Sequence, residues 1–256
     1  MKFITPDHEF LNQGVLPGIR MITADFVPVI QIFPTMEGEG TRVGTPRVFL
    51  RLAGCPINCF ECDTPESFNV RRHKLMSIVE VSKEVIQTAK DNGIREVSIT
   101  GGEPMMYPKQ LVKLADRFRK AGLLVSLETS GLLVDPEVFR HFDMVSLDIK
   151  VPSSKVSVPD EAIEAVARAF AAHSGVQVKC IVWGSDDLEW IEKKLYRFID
   201  PAIRNQRPLV LTPAAYDVKS PVNPEEIENL RAMVMEWNKG YNIVFITQQH
   251  KLFGFD

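Results

Sequence analysis

The sequence predicts an α/β fold: a parallel sheet with helices on its outer side, curled into a partial (β/α) barrel. Three observations carry that prediction. From residue 77 onward, short apolar runs alternate with segments of helical period, the signature of βαβ units and a parallel sheet. Several of those runs end in clusters of Gly, Glu, Ser, Thr or Lys, where open α/β sheets place their ligands. The chain is 256 residues long and 45% hydrophobic, enough for one domain, residues 1–256, with a sizeable core.

Taken in order, residues 1–25 read as an N-terminal extension broken by Pro6, Gly14, Pro17 and Gly18. Strands are predicted at 27–33 and 47–52. Between them lies Glu37-Gly38-Glu39-Gly40-Thr41-Arg42-Val43-Gly44. Its glycines lack the G-x-G-x-x-G spacing and no helix pattern follows, so it is not a dinucleotide loop. A solvated turn is the plain reading of either glutamate alone. Arg51 stands between Leu50 and Leu52, where a guanidinium needs a carboxylate partner or an anionic ligand. Residues 53–70 form a loop. Ser77 and Glu80 make a capping box for a helix to residue 92. Strands at 96–100, 123–129, 144–149, 176–183, 209–212 and 243–247 then alternate with helices. The helices are predicted at 109–121, from Asp135-Pro136, at 160–173, at 185–199, and from Asn223-Pro224 to 238. Six strands after the loop and one before it fall short of the eight repeats of a closed barrel.

The loop carries Cys55, Cys59 and Cys62, spaced Cys-x3-Cys-x2-Cys. Three thiolates from one loop can bind three irons of a 4Fe–4S cluster, leaving the fourth open to a small molecule. The plainer alternative, a structural zinc knuckle, needs a fourth closed ligand. The remaining cysteine, Cys180, is over a hundred residues away in an apolar strand and reads as core. Four cysteines in a chain this long are no disulfide framework, and their clustering suggests a metal in a reducing compartment.

Four strand ends carry polar groups. The first after the loop ends in Thr100-Gly101-Gly102-Glu103-Pro104, whose glycines let backbone approach a ligand and whose Glu103 can accept from an ammonium. Others end in Glu128-Thr129-Ser130-Gly131, in Asp148-Ile149-Lys150, and in Gln248-Gln249-His250-Lys251. Each alone has a plain reading as a turn or an ion pair. Four facing one cysteine loop do not.

The net charge is −3, with no basic block and no apolar run of membrane length. The first residues lack a signal-peptide core. No nucleic-acid partner, no membrane partner and a cytoplasmic location are therefore expected.

These residues resemble the radical S-adenosylmethionine superfamily. Together, Glu37-Gly38-Glu39-Gly40, Gly44-Thr45-Pro46, Phe49-Leu50-Arg51, Gly54-Cys55, Cys62-Asp63-Thr64, the segment 148–154 and the segment 248–254 are similar to the 7-carboxy-7-deazaguanine synthase family. The resemblance runs from about residue 27 onward. It implies the superfamily's partial barrel. It implies a 4Fe–4S cluster on Cys55, Cys59 and Cys62, with S-adenosylmethionine chelating the open iron. Gly101, Gly102 and Glu103 would receive the methionine amino group, and Glu128, Ser130 and Lys150 would contact the rest of that cofactor. Thr64 would ligate Mg²⁺. Glu39, Arg51 and His250 would hold the substrate, 6-carboxy-5,6,7,8-tetrahydropterin, whose ring contracts with loss of ammonia. No further side chain is assigned to the chemistry itself. An electron donor such as flavodoxin and a homodimer are implied as partners. Where relatives often have Gln, Trp and Ser-Pro-Lys, this chain has Glu37, Glu61 and Asp148-Ile149-Lys150. The competing readings are a glycyl-radical activating enzyme, which acts on a protein, and a non-catalytic scaffold for a cluster or zinc.

Overall fold

A computed structural model of the chain describes residues 23–57, 59–60, 62–70, 73–214, 224–238 and 242–254. Most of the predicted N-terminal extension, the predicted cap Asn223 and Glu61 lie outside them. The first two strands are β1 (Phe26–Met36) and β2 (Pro46–Leu52), followed after the cysteine loop by β3 (Lys74–Ser77) and α1 (Ile78–Asp91). Then come β4 (Glu96–Gly101), α2 (Pro108–Lys120), β5 (Leu124–Thr129), α3 (Pro136–Phe139) and β6 (Met144–Asp148). The chain continues through α4 (Asp160–Ala172), β7 (Val176–Val182), α5 (Ser185–Trp190), α6 (Pro201–Gln206) and β8 (Leu209–Pro213). It ends in α7 (Pro224–Trp237), β9 (Ile243–Phe245) and α8 (Gln249–Phe253).

The nine strands of the described residues form one sheet, in the order β3-β1-β2-β4-β5-β6-β7-β8-β9. From β2 through β9 neighbours are parallel. β1 runs antiparallel to both β2 and β3. The order is linear, so the barrel is open, as the short count of repeats predicts. Several features depart from the expected elements, α6 and α8 being additional helices. The edge strand β3 was not expected, because four residues ending in a helix cap carry almost no periodic signal. The single helix expected over 185–199 is three pieces: α5, one wide π turn (Ile191–Leu195) and a 3-10 turn (Tyr196–Phe198). That change of pitch buries Ile191, Leu195, Tyr196 and Ile199 together. α6 follows, begun by Pro201 and capped by Asp200, whose Oδ1 accepts from the Ala202 amide at 2.7 Å.

Helices form where the sequence supplies caps and one apolar face. Ser77 and Glu80 close the expected capping box on α1. Asp135 caps α3 through the Glu137 amide at 2.9 Å. α2 buries Leu111, Leu114, Ala115 and Phe118. These side chains meet one row of each strand: Val97 and Ile99, Val125 and Leu127, Val145 and Leu147, Val176, Val178 and Cys180 share one continuous apolar core. Side chains alternate across a strand, so the intervening residues face the inside of the barrel. They are polar: Ser98, Ser126, Ser146, Gln177 and Lys179, all buried. The barrel is therefore greasy outside, where the helices lie, and polar within, which is the arrangement of a ligand chamber.

Candidate functional site

The polar chamber has a floor. Arg47, 1% exposed, lies between the N-terminal ends of the parallel strands. Its Nη1 donates to Glu37 Oε2 at 2.6 Å and to Ser126 Oγ at 3.1 Å, and its Nε donates to Glu96 Oε2 at 3.2 Å. Burial pushes the Glu37 carboxyl upward against the pull of Arg47. The two glutamates of the glycine-rich turn after β1 are thus turned away from solvent. The turn folds beneath the barrel, where the Thr41 amide and hydroxyl both donate to Gln177 Oε1, at 3.0 and 2.8 Å. The Glu37 carboxylate thus serves as a buried partner of arginine.

Above this floor, at the C-terminal ends of the strands, opens a cleft of about 860 Å³. It gathers twelve of the thirteen expected residues: Cys55, Cys59, Cys62, Thr64, Gly101, Gly102, Glu128, Ser130, Lys150, Glu39, Arg51 and His250. The exception is Glu103. It is fully buried and its carboxylate is already taken. Oε1 accepts from the Met105 amide at 2.9 Å and Thr129 Oγ1 at 2.7 Å; Oε2 accepts from the Ser130 amide at 2.9 Å and from the Ser130 hydroxyl. Glu103 ties the end of β4 to the end of β5, next to the cleft-lining backbone of Gly101 and Gly102.

That backbone is pressed against the cysteine loop. Gly102 donates its amide to the Leu52 carbonyl at 2.9 Å, Glu103 donates to Gly54 at 2.8 Å, and Tyr107 Oη donates to the Ala53 carbonyl at 2.7 Å. Gly101 has φ +135°, and a Cβ there would stand 2.0 Å from the Leu52 carbonyl oxygen. Only glycine satisfies both the angle and the approach. The loop is closed at its base by the Gly54 amide donating to the Ser67 carbonyl at 2.6 Å, and held at its tip by the Phe60 amide donating to Ser154 at 2.9 Å.

The donor set fits a 4Fe–4S cluster with one open iron. Three soft thiol ligands from one loop line the cleft beside the glycine backbone, and Cys180 is buried in β7 in the core row. Burial pushes the Cys55 thiol up to about 12, and raises Cys59 and Cys62 as well. The iron-free thiols are neutral near pH 7, and binding iron releases their protons. The cleft also fits a cofactor rich in hydrogen-bond donors: Asp148 Oδ1 is buried and no described residue donates to it, while Oδ2 meets Lys150 at 3.1 Å.

On the opposite wall Arg51 donates from Nη1 to Thr64 Oγ1 at 2.8 Å, and its guanidinium lies 5.5 Å from the centre of the Phe33 ring. Glu39 accepts on Oε1 from Gln248 Nε2 at 2.5 Å and on Oε2 from Lys179 Nζ. Burial alone would raise the Glu39 carboxyl, but Lys179 and His250 outweigh it and hold it near 2. Burial lowers His250, so its imidazole is neutral at pH 7. Burial and the nearby Glu37 push the half-buried Glu128 carboxyl up to about 8. Lys179, Gln248 and the aromatic pair Phe33–Phe49, with centroids 5.7 Å apart, also line the cleft; the sequence reading gave none of them a role. A signal for Lys179 was present: Gln177 and Lys179 alternate with Val176, Val178 and Cys180, a polar row of period two in an otherwise apolar strand.

The chain resembles known proteins in the same terms. Residues 36–137 match the family described as a 4Fe-4S single cluster domain. A 7-carboxy-7-deazaguanine synthase of Methanothermobacter thermautotrophicus is 29% identical over 89% of this chain and 97% of its own length. That of Pyrobaculum aerophilum is 32% identical over 65% of this chain and 72% of its own. The fold matches the crystal structure of QueE from Escherichia coli with a TM-score of 0.59 at 22% identity, over 86% of this chain and 93% of that one. Three cysteines on one loop, a glycine backbone pressed against them and relatives of one name over most of their length lead to one assignment: the chain belongs to the 7-carboxy-7-deazaguanine synthase family of radical S-adenosylmethionine enzymes.

Proposed function

We propose that the chain contracts the ring of 6-carboxy-5,6,7,8-tetrahydropterin to 7-carboxy-7-deazaguanine with loss of ammonia. One observation carries the reading. Glu39 after β1, Arg51 on β2 and His250 on α8 line the same cleft as the three cysteines and the Gly101–Gly102 backbone, although they come from opposite ends of the sequence. Cys55, Cys59 and Cys62 would hold the cluster, which when loaded supplies the electron that cleaves S-adenosylmethionine to a 5′-deoxyadenosyl radical. The chain's own groups bind and orient. Gly101 and Gly102 offer backbone to the methionine end, and Ser130, Glu128 and Lys150 offer polar contacts to the remainder. Arg51 suits the substrate carboxylate, since a guanidinium grips one bidentately. Glu39 offers an anionic acceptor to ring N–H groups, and neutral His250 offers a ring nitrogen.

Thr64, 7% exposed on the cleft wall, is the proposed Mg²⁺ ligand. Its hydroxyl oxygen accepts one bond from Arg51 and retains a second lone pair for a hard cation. A reducing protein such as flavodoxin would deliver the electron, and a homodimer is the proposed assembly. No described helix is long and apolar enough to cross a membrane. The test is anaerobic reconstitution with iron and sulfide, then reaction with S-adenosylmethionine, reductant and the pterin. Formation of 7-carboxy-7-deazaguanine is expected; 5′-deoxyadenosine with no pterin turnover would overturn the reading. Thr64→Val is expected to blunt the Mg²⁺ response of turnover while S-adenosylmethionine cleavage persists, and identical Mg²⁺ titrations would remove Thr64 from the ligand set.

A further inference from the structure

The chamber's charges pair off unequally. Glu37 faces Arg47 at 2.6 Å, Asp63 faces Lys251 at 2.6 Å, and Asp148 faces Lys150 at 3.1 Å. Lys179 has a different allegiance. It stands on the inward row of β7, in register with Asp148 of β6. Its ammonium bonds to Glu39 Oε2 and lies farther, at 3.5 Å, from Asp148 Oδ2. Its side chain is 4% exposed, so it is a cation enclosed in the barrel wall and aimed at a residue 140 positions away.

The turn that carries Glu39 is gripped from the same strand twice. Gln177, two residues before Lys179, accepts from the Thr41 amide and hydroxyl. Gly40, at φ +71°, passes so close that a Cβ would stand 2.4 Å from Gln177 Nε2. Gln248 secures the other Glu39 oxygen, and the Gln249 amide donates to the Gly38 carbonyl at 2.9 Å. β7 and the 248–249 segment thus clamp one turn between them. Each Glu39 oxygen spends one lone pair on the clamp and keeps one for the cleft. An acceptor fixed in this way loses little rotamer freedom when N–H donors of a ring arrive.

We infer that Lys179 is a positioning residue for substrate capture: through its ion pair with Glu39 it sets that carboxylate as an oriented anion for the N–H edge of the pterin. The inference rests on the proposed function and deepens it, adding to substrate recognition a β7 lysine that does not itself need to touch the substrate.

The test uses the reconstituted holoenzyme and four variants: Lys179→Met, Lys179→Arg, Glu39→Gln, and Lys179→Met combined with Glu39→Gln. Lys179→Met is expected to raise KM for 6-carboxy-5,6,7,8-tetrahydropterin about ten- to a hundredfold, the worth of a charge-assisted hydrogen bond. Iron content and S-adenosylmethionine affinity should match the parent. Because Lys179 acts through Glu39, the double variant should be no worse than the poorer single one. Lys179→Arg, which restores the charge, should recover much of the affinity. Losses that add in the double variant would mean an independent contact and overturn the inference. So would an unchanged KM in Lys179→Met, or a KM rise that tracks falling iron content and melting temperature in both Met and Arg variants. If the Met variant does not fold, Lys179→Gln keeps a donor without the charge, and a parent-like KM there would overturn the inference equally. A parent enzyme that leaves the pterin untouched would overturn the proposed function and this inference with it. Parent turnover with an indifferent Lys179 would overturn this inference alone.

Discussion

Arg51 shows how one side chain carries two readings until its neighbours are known. An arginine flanked by leucines had to find either a structural carboxylate or an anion. The structure sets it on the cleft wall, donating to Thr64 Oγ1 and lying over Phe33. Arg51→Ala is therefore expected to weaken pterin binding by about ten- to a hundredfold with iron content retained; a parallel loss of iron would show that it supports the loop instead. Two carboxyls make the stability of the ligand-free protein depend on pH in opposite senses. Glu39, held down near 2, stabilises the fold above its ordinary value of 4.5, and that contribution is lost as pH falls toward 2. Glu128, pushed up to about 8, keeps in the folded state a proton that the unfolded chain releases above 4.5. Its contribution is intact below that value and is lost as pH rises to 8. Thermal melts of Glu128→Gln against the parent should show the variant gaining steadily between pH 5 and 8, and a gap independent of pH would contradict the assignment. What the sequence made legible at this scale were residues with a chemical spacing, the three cysteines above all. Arg47 and Lys179 were hidden because their meaning lies in partners on other strands: Glu37, Ser126 and Glu96 for the one, Glu39 and Asp148 for the other. The surroundings of Glu103 were hidden in the same way, since a Gly-Gly-Glu run does not reveal that four donors surround its carboxylate.

The elements were legible wherever period and cap agreed. α1 begins at its capping box and β4 to β8 fall on their apolar runs, because local propensity and tertiary packing point the same way there. A solvated turn, the plain reading of either glutamate alone, does not describe Glu37 and Glu39, because the turn's anchors, Gln177 and Gln248, lie 136 and 209 residues from their partners Thr41 and Glu39. The junction of β4 with the cysteine loop makes a sharper prediction. A methyl group at Gly101 would collide with the backbone of β2 rather than with a flexible side chain, at an angle that L-residues rarely adopt. Gly101→Ala is expected to destabilise the protein by more than about 1 kcal/mol and to lower iron incorporation, read by thermal melt and iron assay. A variant matching the parent in both would show that the β2–β4 seam can open without harm.

Across the whole molecule, the open sheet keeps its core and its chemistry apart. The apolar rows under the helices form one continuous cluster, whereas Ala53, Ile57 and Val70, the buried apolar residues of the cysteine loop, stand outside it. The loop is an excursion between β2 and β3, and both of those strands are paired to β1 independently of any thiol. Small domains whose only core is their metal unfold when it is removed; this architecture predicts otherwise. The iron-free chain should retain its far-ultraviolet dichroism and a cooperative melt, with faster amide exchange confined to residues 53–70. General unfolding on chelation would refute that. The excursion of the loop has a consequence for the life of the enzyme. If the scaffold stands without iron, assembly of the cluster can follow folding, on a finished protein waiting with its thiols protonated. A cluster destroyed by oxygen can then be rebuilt in place, so that oxidative damage to this site is a matter of repair and not of resynthesis.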